Sequence, residues 1–334
     1  MEPKMKDIAR EAGVSTATVG RVLHKTGYVS PEAKERVDAA VRKLGYVPNG
    51  LARALTTKRS GVIGCLVVEN AGNLYQEINR QLLSAAERRG YKLLTMQTRV
   101  DVRDEDELLR QLIGLRVDGL AIVSNIYLRQ EHFELLRLRQ IPTVMIERAY
   151  DFPHVDNVRF RDLEGAEAAT RKFLAQGHRR VAFLGPEPFD RVEEDRLSGF
   201  RRAMEAAGVP REAQLLCLTD TYGIDQGREG MERLLALPEP PTAVFCTADI
   251  LAAGAMQALY RHGIRVPEEM SLSGYDNRVA QELAPPINSV EPDLPGVGEK
   301  TLELLLRRME DPARPGVTEW VDMRYVDRGT IQSL

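Results

Sequence analysis

Cysteine and tryptophan are scarce in this chain, which has three cysteines and one tryptophan among 334 residues. The cysteines, Cys65, Cys217 and Cys246, lie far apart, and no two of them form a Cys-x-x-Cys pair. This spacing excludes a disulfide framework and a cysteine-based zinc ribbon. Each cysteine lies in an apolar run, so we expect three buried thiols in a reducing cytosol.

Long apolar runs are also missing. No uninterrupted apolar stretch approaches the roughly 18 residues that a membrane-spanning helix needs. The charged N-terminal residues are not followed by the apolar segment of a signal peptide. We therefore expect a cytoplasmic protein that has no membrane partner.

Catalytic and metal-binding motifs are absent from the sequence. It contains neither His-Glu-x-x-His nor Gly-x-Ser-x-Gly, and its five histidines lack the spacing of metal ligands. The segment 296–301 is similar to a phosphate-binding loop, but Glu299 interrupts the required Gly-Lys pair, so we interpret it as the start of a helix. These observations predict a binding protein without catalysis, cofactor or metal.

Charge is distributed unevenly along the chain. Residues 1–60 contain 12 Lys and Arg against 6 Asp and Glu, a net charge of +6, whereas the rest contains 34 against 43, a net charge of −9. A small basic segment on an acidic body indicates contact with a polyanion. A solvated basic segment without a partner is the alternative that charge alone leaves open.

The first sixty residues predict three short helices. Gly13 ends the first helix, at a position that needs a left-handed residue. Ser15 caps a second helix that begins at Thr16, and Ser30 with Pro31 begins a third. Two helices joined by a short glycine-containing turn are typical of a helix-turn-helix unit. The pattern predicts a DNA-reading head, with a generic three-helix bundle as the alternative.

Residues beyond 60 alternate between short apolar strands and helices, which predicts parallel sheets covered on both faces. A first run has strands at Val62–Val68, Lys92–Met96, Gly119–Val123 and Thr143–Ile146, and a second run has them at Arg180–Leu184, Gln214–Leu218, Ala243–Cys246 and Ser271–Tyr275. Two runs predict two subdomains, with a ligand cleft at the carboxyl ends of their strands.

Several motifs follow one another along the chain: Lys6-Asp7-Ile8-Ala9, Ala12-Gly13-Val14-Ser15, Leu44-Gly45-Tyr46-Val47-Pro48-Asn49 and Ala52-Arg53-Ala54-Leu55. Together they resemble the LacI/GalR family of transcriptional regulators, and the similarity continues to Arg328-Gly329-Thr330. The resemblance implies an all-α helix-turn-helix head and an α/β periplasmic-binding-protein-like body of two doubly wound parallel-sheet subdomains.

The resemblance also implies domain boundaries. We expect the DNA-binding domain at 1–48, a hinge helix and linker at 49–60, and an effector-binding and dimerisation domain at 61–334. Within the last, subdomain one spans about 61–160 plus 290–320, and subdomain two spans about 161–289 plus 321–330.

The DNA-binding residues are likewise implied by the resemblance. Thr16 and Ala17 are expected to read base edges in the major groove. Leu55 is expected to enter the minor groove from a hinge helix, Asn49–Thr56, that forms only on DNA. The full set is Thr16, Ala17, Thr18, Arg21, His24, Tyr28, Asn49, Arg53 and Leu55. Gly20 replaces the Ser usual in the family and Lys4 a capping Thr, which predicts a less stable head.

The effector-binding residues implied by the resemblance are Asn73, Tyr75, Arg148, Arg161, Arg196, Tyr222, Asp249 and Asp276. Arg196 is expected to clamp the effector, Tyr75 to stack on it, and Asp276 to accept hydrogen bonds from sugar hydroxyls. Ala248 replaces the Asn that the family has before Asp249. For each Arg the alternative is a surface salt bridge, and for each Tyr a core aromatic.

Arg161 stands where the family commonly has Asp. With Arg148 and Arg196 it could form a cluster of three guanidiniums, which favours an acidic sugar or sugar phosphate. The alternative is that Arg161 turns to solvent or pairs with Asp162 or Glu164.

Together these observations predict a homodimeric repressor whose affinity for double-stranded operator DNA is set by a sugar, sugar acid or sugar phosphate. The absence of C-terminal leucine heptads argues against a tetramer. A transport-type solute receptor is disfavoured by the basic head and the lack of a signal peptide, and an enzyme by the lack of a catalytic constellation. A further alternative is a regulator that is governed by a protein partner and whose effector cleft is vestigial. Only Ala248 supports this alternative.

Overall fold

The computed structural model describes residues 3–24, 26–47, 59–68, 72–98, 104–123, 128–147, 152–188 and 191–334. The chain forms two compact units that divide between Ser60 and Gly61: a small N-terminal head and a larger body. Within the described ranges, no helix is both long and apolar enough to cross a membrane.

The head consists of three helices, α1 (Met5–Ala12), α2 (Thr16–His24) and α3 (Pro31–Leu44). Their apolar faces meet in one small core, in which Ile8, Val19 and Val37, one from each helix, are completely buried. Helices α1 and α3 end at Gly13 and Gly45, whose φ angles of +63° and +60° are left-handed. The three helices predicted from the sequence are confirmed.

The three helices of the head differ in how their N-termini are capped. The Ser15 hydroxyl accepts a hydrogen bond from the Thr18 backbone N–H at 3.1 Å, and Ser30 accepts one from the first turn of α3 at 3.3 Å. Lys4 precedes α1, and its side chain has no hydrogen-bond acceptor, so this side chain cannot accept a bond from a backbone N–H of the first turn. There the Asp7 carboxylate accepts from the Lys4 backbone N–H at 2.9 Å. Helix α1 therefore has only half of a reciprocal cap.

The body alternates strands and helices. Its strands are β1 (Val62–Val68), β2 (Lys92–Thr98), β3 (Gly119–Val123), β4 (Thr143–Ile146), β5 (Val155–Phe160), β6 (Val181–Pro186), β7 (Leu215–Thr219), β8 (Ala243–Cys246), β9 (Ser271–Ser273), β10 (Ser289–Pro292), β11 (Thr318–Val321) and β12 (Met323–Val326). Its helices are α4 (Gly72–Arg88), α5 (Glu105–Gly114), α6 (Gln130–Leu138), α7 (Asp162–Ala175), α8 (Arg191–Ala206), α9 (Ile224–Leu235), α10 (Asp249–Arg261) and α11 (Leu294–Glu310).

These strands form two parallel sheets. The first sheet has the order β11-β5-β4-β3-β1-β2 and the second the order β7-β6-β8-β9, while β10 and β12 make a separate antiparallel pair. Each sheet has an apolar core on both faces, which explains why strands such as β1 and β3 are almost continuously buried. The predicted fold, a helical head with two doubly wound parallel sheets, is confirmed.

The chain crosses between the two sheets three times. It leaves the first sheet after Phe160, returns between Ser273 and Leu294, and leaves again after Val321. The return brings α11 onto α4 so closely that a Cβ at Gly298 would clash with the backbone of Gln81. Local periodicity alone does not predict this return.

Two elements beside the first crossing, strand β5 and helix α7, are not predicted by the local sequence pattern. Strand β5 reads Val-Asp-Asn-Val-Arg-Phe, which lacks an apolar run. Its Asp156 is completely buried because Arg308, from α11, donates to it at 2.8 and 3.1 Å. Helix α7 has no wide apolar stripe because small residues line its contact with α8, where a Cβ at Gly199 would clash with the Leu163 carbonyl.

Replacing Gly20 with Ala is expected to stabilise the head. Glycine inside a helix costs about 1 kcal/mol relative to alanine, and a Cβ at this position of α2 would lie 3.5 Å from Met5 Cε, an ordinary contact. Amide hydrogen exchange of α1–α3, measured in the full chain, should show that the free energy of opening is higher in Gly20→Ala than in wild type by up to about 1 kcal/mol. Gly13→Ala is the control and should lower protection, because Gly13 has φ +63°. Lower protection in Gly20→Ala would contradict this packing.

Candidate functional site

The N-terminal half of α2 presents its predicted base-reading residues to solvent. Thr16, Ala17 and Arg21 are exposed and Thr18 is half-buried, whereas Val19 on the opposite face is completely buried in the head core. One polar helical face is therefore open to base edges and phosphates, as in the recognition helix of a helix-turn-helix unit.

Tyr28, which follows α2, is 85 % exposed and so is also available to a partner. Six further predicted residues fall outside what the structure describes: Asn49, Arg53, Leu55 and Arg148, and the side chains of His24 and Asn73. Their roles, and the hinge helix over 49–56, stay predictions from the sequence.

A guanidinium is buried within the body. Arg196 of α8 is 2 % exposed, and two carboxylates balance its charge. Its Nε donates to Asp162 at 2.9 Å and its Nη2 to Asp276 at 3.2 Å. Its Nη1 donates to the Thr247 carbonyl at 2.8 Å, and the Tyr275 ring centre lies 4.1 Å from Cζ. The guanidinium is thus fixed on all sides by protein groups.

Two more polar residues, the buried Glu193 and the half-buried Tyr222, adjoin this guanidinium. The Tyr222 hydroxyl lies 3.4 Å from Arg196 Nη1 and donates a hydrogen bond to Glu193. Glu193 is 3 % exposed and precedes Arg196 by three residues, so both lie on the same face of α8. The Arg196 network below denotes Asp162, Glu193, Arg196, Tyr222, Thr247 and Asp276.

The Arg196 network lies at one edge of the second sheet. Tyr222 follows β7, Thr247 follows β8 and Asp276 follows β9, so all three come from the carboxyl ends of parallel strands. Asp162 begins α7, directly after the chain leaves the first sheet. Ligands of open α/β sheets bind at this edge. Three of the effector residues predicted from the sequence thus meet here, together with three that the prediction omitted.

Burial and neighbouring charges both shift the pKa values of the network. Burial raises the pKa of Asp276 from 3.8 to about 6, although Arg196 opposes the rise. It also raises the pKa of the Tyr222 hydroxyl well above its ordinary value, so this group remains a proton donor. Burial by itself lowers the pKa of Arg196, but the charges of Asp276 and Asp162 outweigh it and raise that pKa well above its usual value. The network therefore contains a permanent cation.

Asp249, predicted as an effector contact, is instead engaged by protein groups. One carboxylate oxygen accepts from the backbone N–H groups of residues 278–280 at 2.5, 3.1 and 3.2 Å. The other accepts from the Ser289 hydroxyl at 2.7 Å. Asp249 is 2 % exposed, and its burial raises its pKa. These bonds hold the loop that carries Asp276 against the start of α10, so the geometry favours a positioning role.

Arg161 also differs from the main expectation. Its Nε donates to Asp322 at 3.0 Å, and Glu164 lies 4.0 Å from Nη1, while its side chain stays 43 % exposed. The neighbouring Asp162 binds Arg196 instead. The side chain is therefore partly exposed and near Glu164, in line with the alternative interpretation, but its principal partner is Asp322, which the sequence did not single out.

Tyr75 and Ala248 have apolar surroundings. Tyr75 is half-buried and packs against the core of the first sheet, which favours the interpretation as a core aromatic. Ala248 precedes α10 and is 5 % exposed within the core of the second sheet.

The described residues contain no group of three or more His, Cys, Asp or Glu side chains that could hold a metal ion. All three cysteines are buried free thiols, which confirms the expectation from their apolar surroundings. Burial raises the pKa of the Cys65 thiol to about 12, so this thiol stays protonated and unreactive.

Known proteins with similar sequences and structures are regulators. Residues 4–49 match a family model described as bacterial regulatory proteins, lacI family, and residues 170–331 match a periplasmic binding protein-like domain. The HTH-type transcriptional repressor PurR of Vibrio cholerae serotype O1 (strain M66-2) is 32 % identical over 332 residues, which cover 99 % of this chain and 98 % of that protein.

Two solved structures extend the similarity to three dimensions. The complex of the transcriptional regulator CelR with cellobiose is 27 % identical, with a TM-score of 0.71, and the match covers 98 % of this chain and 99 % of that chain. The lac repressor dimer bound to operator and the anti-inducer ONPF is 24 % identical, with a TM-score of 0.84 over 100 % of both chains. The latter likeness establishes a shared fold.

The raised pKa of Asp276 predicts a pH dependence of stability. The folded protein keeps this proton up to about pH 6, whereas the unfolded chain releases it near 3.8. Asp276 therefore contributes stability below the unfolded value and loses it as the pH rises through the folded value, a change of about 3 kcal/mol. The free energy of unfolding of the body, measured in urea, should fall for wild type relative to Asp276→Asn as the pH rises from about 3.8 to about 6. A difference that does not vary with pH would contradict the raised pKa.

Proposed function

Because the chain belongs to the LacI family of bacterial transcriptional regulators, we propose that it binds operator DNA as a homodimer and that a small molecule bound at the Arg196 network sets its operator affinity. The observation that carries this proposal is the buried Arg196 with its two carboxylates at the carboxyl ends of the strands, in the same chain as a helix-turn-helix head. The protein is a regulator and not an enzyme, like the repressor that it resembles over almost its whole length.

On the DNA side, we propose that α2 enters the major groove, with Thr16 and Ala17 on base edges. Thr18 and Arg21 support it through phosphate or base contacts. Ala17 offers only an apolar contact, such as that to a thymine methyl group, so discrimination there is modest. His24, Tyr28, Asn49, Arg53 and Leu55 complete the proposed DNA-binding set.

On the ligand side, we propose a sugar-like effector. A sugar presents hydroxyl groups that donate and accept hydrogen bonds, and the Arg196 network offers carboxylates, a hydroxyl and one guanidinium in a buried setting. The CelR relative, in complex with cellobiose, supports this class. The homodimer is supported by the dimeric assembly of the lac repressor structure, which has the same fold.

A thermal-shift screen of sugars, sugar acids, sugar phosphates and nucleobases tests the ligand side. We expect one class to raise the Tm of the body and to change operator affinity in a gel-shift titration. A complete lack of response would favour the alternative in which a protein partner governs the regulator and the cleft is vestigial.

Replacing Thr16 with Gln and Ala17 with Asn is expected to change the preferred operator. Gln and Asn pair with the major-groove edge of adenine, and each such pair discriminates between bases by about 1–3 kcal/mol. Selection from a randomised site library should show a shift toward adenine at the facing positions. Glu35→Gln, a change at an exposed residue of α3, should leave the preference as in wild type. The same preference in all three proteins would contradict the assignment of α2.

Leu55→Ala is expected to weaken operator binding without loss of fold. An apolar side chain inserted in the minor groove unstacks a base step and bends the duplex, and alanine is too short to do so. Circular dichroism and ligand binding should match wild type, while operator affinity and the bend angle measured by fluorescence energy transfer should fall. Equal bending by both proteins would refute the proposed wedge.

A further inference from the structure

We propose that Glu193 is a contact residue for the effector and makes the cleft select a ligand that donates hydrogen bonds, so that compounds bearing a carboxylate or phosphate at this position are rejected. This inference rests on the proposed function, because it concerns the ligand of the same site. It differs from the sequence-based expectation of an acidic effector and assigns a residue that the sequence did not single out.

The placement of Glu193 is the first ground. Its side chain lies in the first turn of α8, on the face that carries Arg196, and is nearly as buried as Arg196 itself. Tyr222 donates to it, and the same hydroxyl lies 3.4 Å from Arg196. Glu193 is therefore linked through one hydroxyl to the Arg196 guanidinium.

The balance of charge is the second ground. Two buried carboxylates, those of Asp162 and Glu193, and the partly buried carboxylate of Asp276 stand against the one guanidinium of Arg196, which leaves a formal net charge of −2. Arg278, whose charge also acts on Asp276, is offset by its ion pair with Glu291 at 3.4 Å. Bringing a further anion into such a site adds repulsion in a poorly solvated environment. Hydroxyl and N–H groups of a ligand, in contrast, donate to carboxylate oxygens at no such cost.

The occupancy of Arg196 is the third ground. A guanidinium has five N–H donors in a rigid fork, and four of them are directed to Asp162, Tyr222, the Thr247 carbonyl and Asp276. A ligand carboxylate or phosphate needs two parallel donors for bidentate binding. Only one donor is left over, so a bidentate anion would have to displace at least one of these four protein groups, and Asp162 or Asp276 would lose its partner if its own bond were the one broken.

The neighbouring guanidiniums are engaged as well. Arg159 donates to Asp195 at 2.8 Å, with both side chains less than 15 % exposed. Arg161 binds Asp322 at the rim. Because Arg159 and Arg161 are each paired with another carboxylate, neither of them neutralises the excess negative charge of the Arg196 network.

Inorganic phosphate provides a test that needs no knowledge of the effector. The Tm of the full chain is measured against phosphate concentration at constant ionic strength for wild type, Glu193→Gln and Glu194→Gln. The Glu193→Gln change removes the charge and keeps an acceptor for Tyr222, and Glu194 is the adjacent, exposed control. We expect phosphate to bind Glu193→Gln about tenfold more tightly than the other two proteins. An equal response of all three would overturn the proposal.

Matched ligand pairs provide a second test, and its first comparison uses wild type alone. D-glucose is compared by calorimetry with D-glucose 6-phosphate and D-glucuronate, and D-ribose with D-ribose 5-phosphate. In each series in which at least one compound binds, we expect the uncharged sugar to bind more tightly than its acid or phosphate. We expect Glu193→Gln to weaken binding of the uncharged sugar about tenfold and Glu194→Gln to leave it unchanged. Tighter binding of an acid or phosphate by wild type would overturn the proposal.

Failure of the proposed function would look different. A chain that does not bind operator DNA, or whose operator affinity no ligand changes, would contradict the proposed function, yet the phosphate titration would still report on Glu193. Conversely, an anionic sugar that binds tightly and changes operator affinity would support the regulator and refute the role of Glu193.

Discussion

A cation buried away from water is the constraint on which the cleft depends. An ionised group in the interior is costly unless it is paired and hydrogen-bonded, and Arg196 meets this condition through Asp162, Asp276 and the Thr247 carbonyl. Removal of one partner from such an arrangement costs about 3–5 kcal/mol. One side chain therefore holds the carboxyl ends of strands β8 and β9 and the first turn of α7 in a fixed arrangement.

The same contacts lie where the chain passes between the two sheets. Asp162 follows the first crossing, Asp276 lies within the second, and the Arg159–Asp195 ion pair joins β5 of the first sheet to α8 on the second. A ligand shifts a conformational equilibrium only by binding its states with different affinity. Under the proposed function, a ligand at Arg196 acts on these contacts and thereby on the region where the chain passes between the two sheets.

Local sequence patterns predicted most of the fold and part of the site. Strands with unbroken apolar runs, such as β1, β3 and β8, lie at their predicted bounds, whereas β5 depends on a partner 152 residues away. Motifs identified Arg196 and Asp276. Glu193 was not identified, because a glutamate in a helix looks solvated until the fold buries it. The protein contacts of Asp249 were not foreseen for a related reason: the groups that donate to its oxygens lie 29 to 40 residues further along the chain.

The link between the Arg196 network and DNA binding is tested most directly by operator affinity with and without a saturating ligand from the thermal-shift screen. The measurement compares wild type with Arg196→Lys, in which the charge is kept but the forked contacts are lost. We expect the ligand to change the operator Kd of wild type by about tenfold or more. We expect the operator Kd of Arg196→Lys to change little when ligand is added, compared with the same variant without ligand. An equal response of the two proteins would contradict the central role of Arg196.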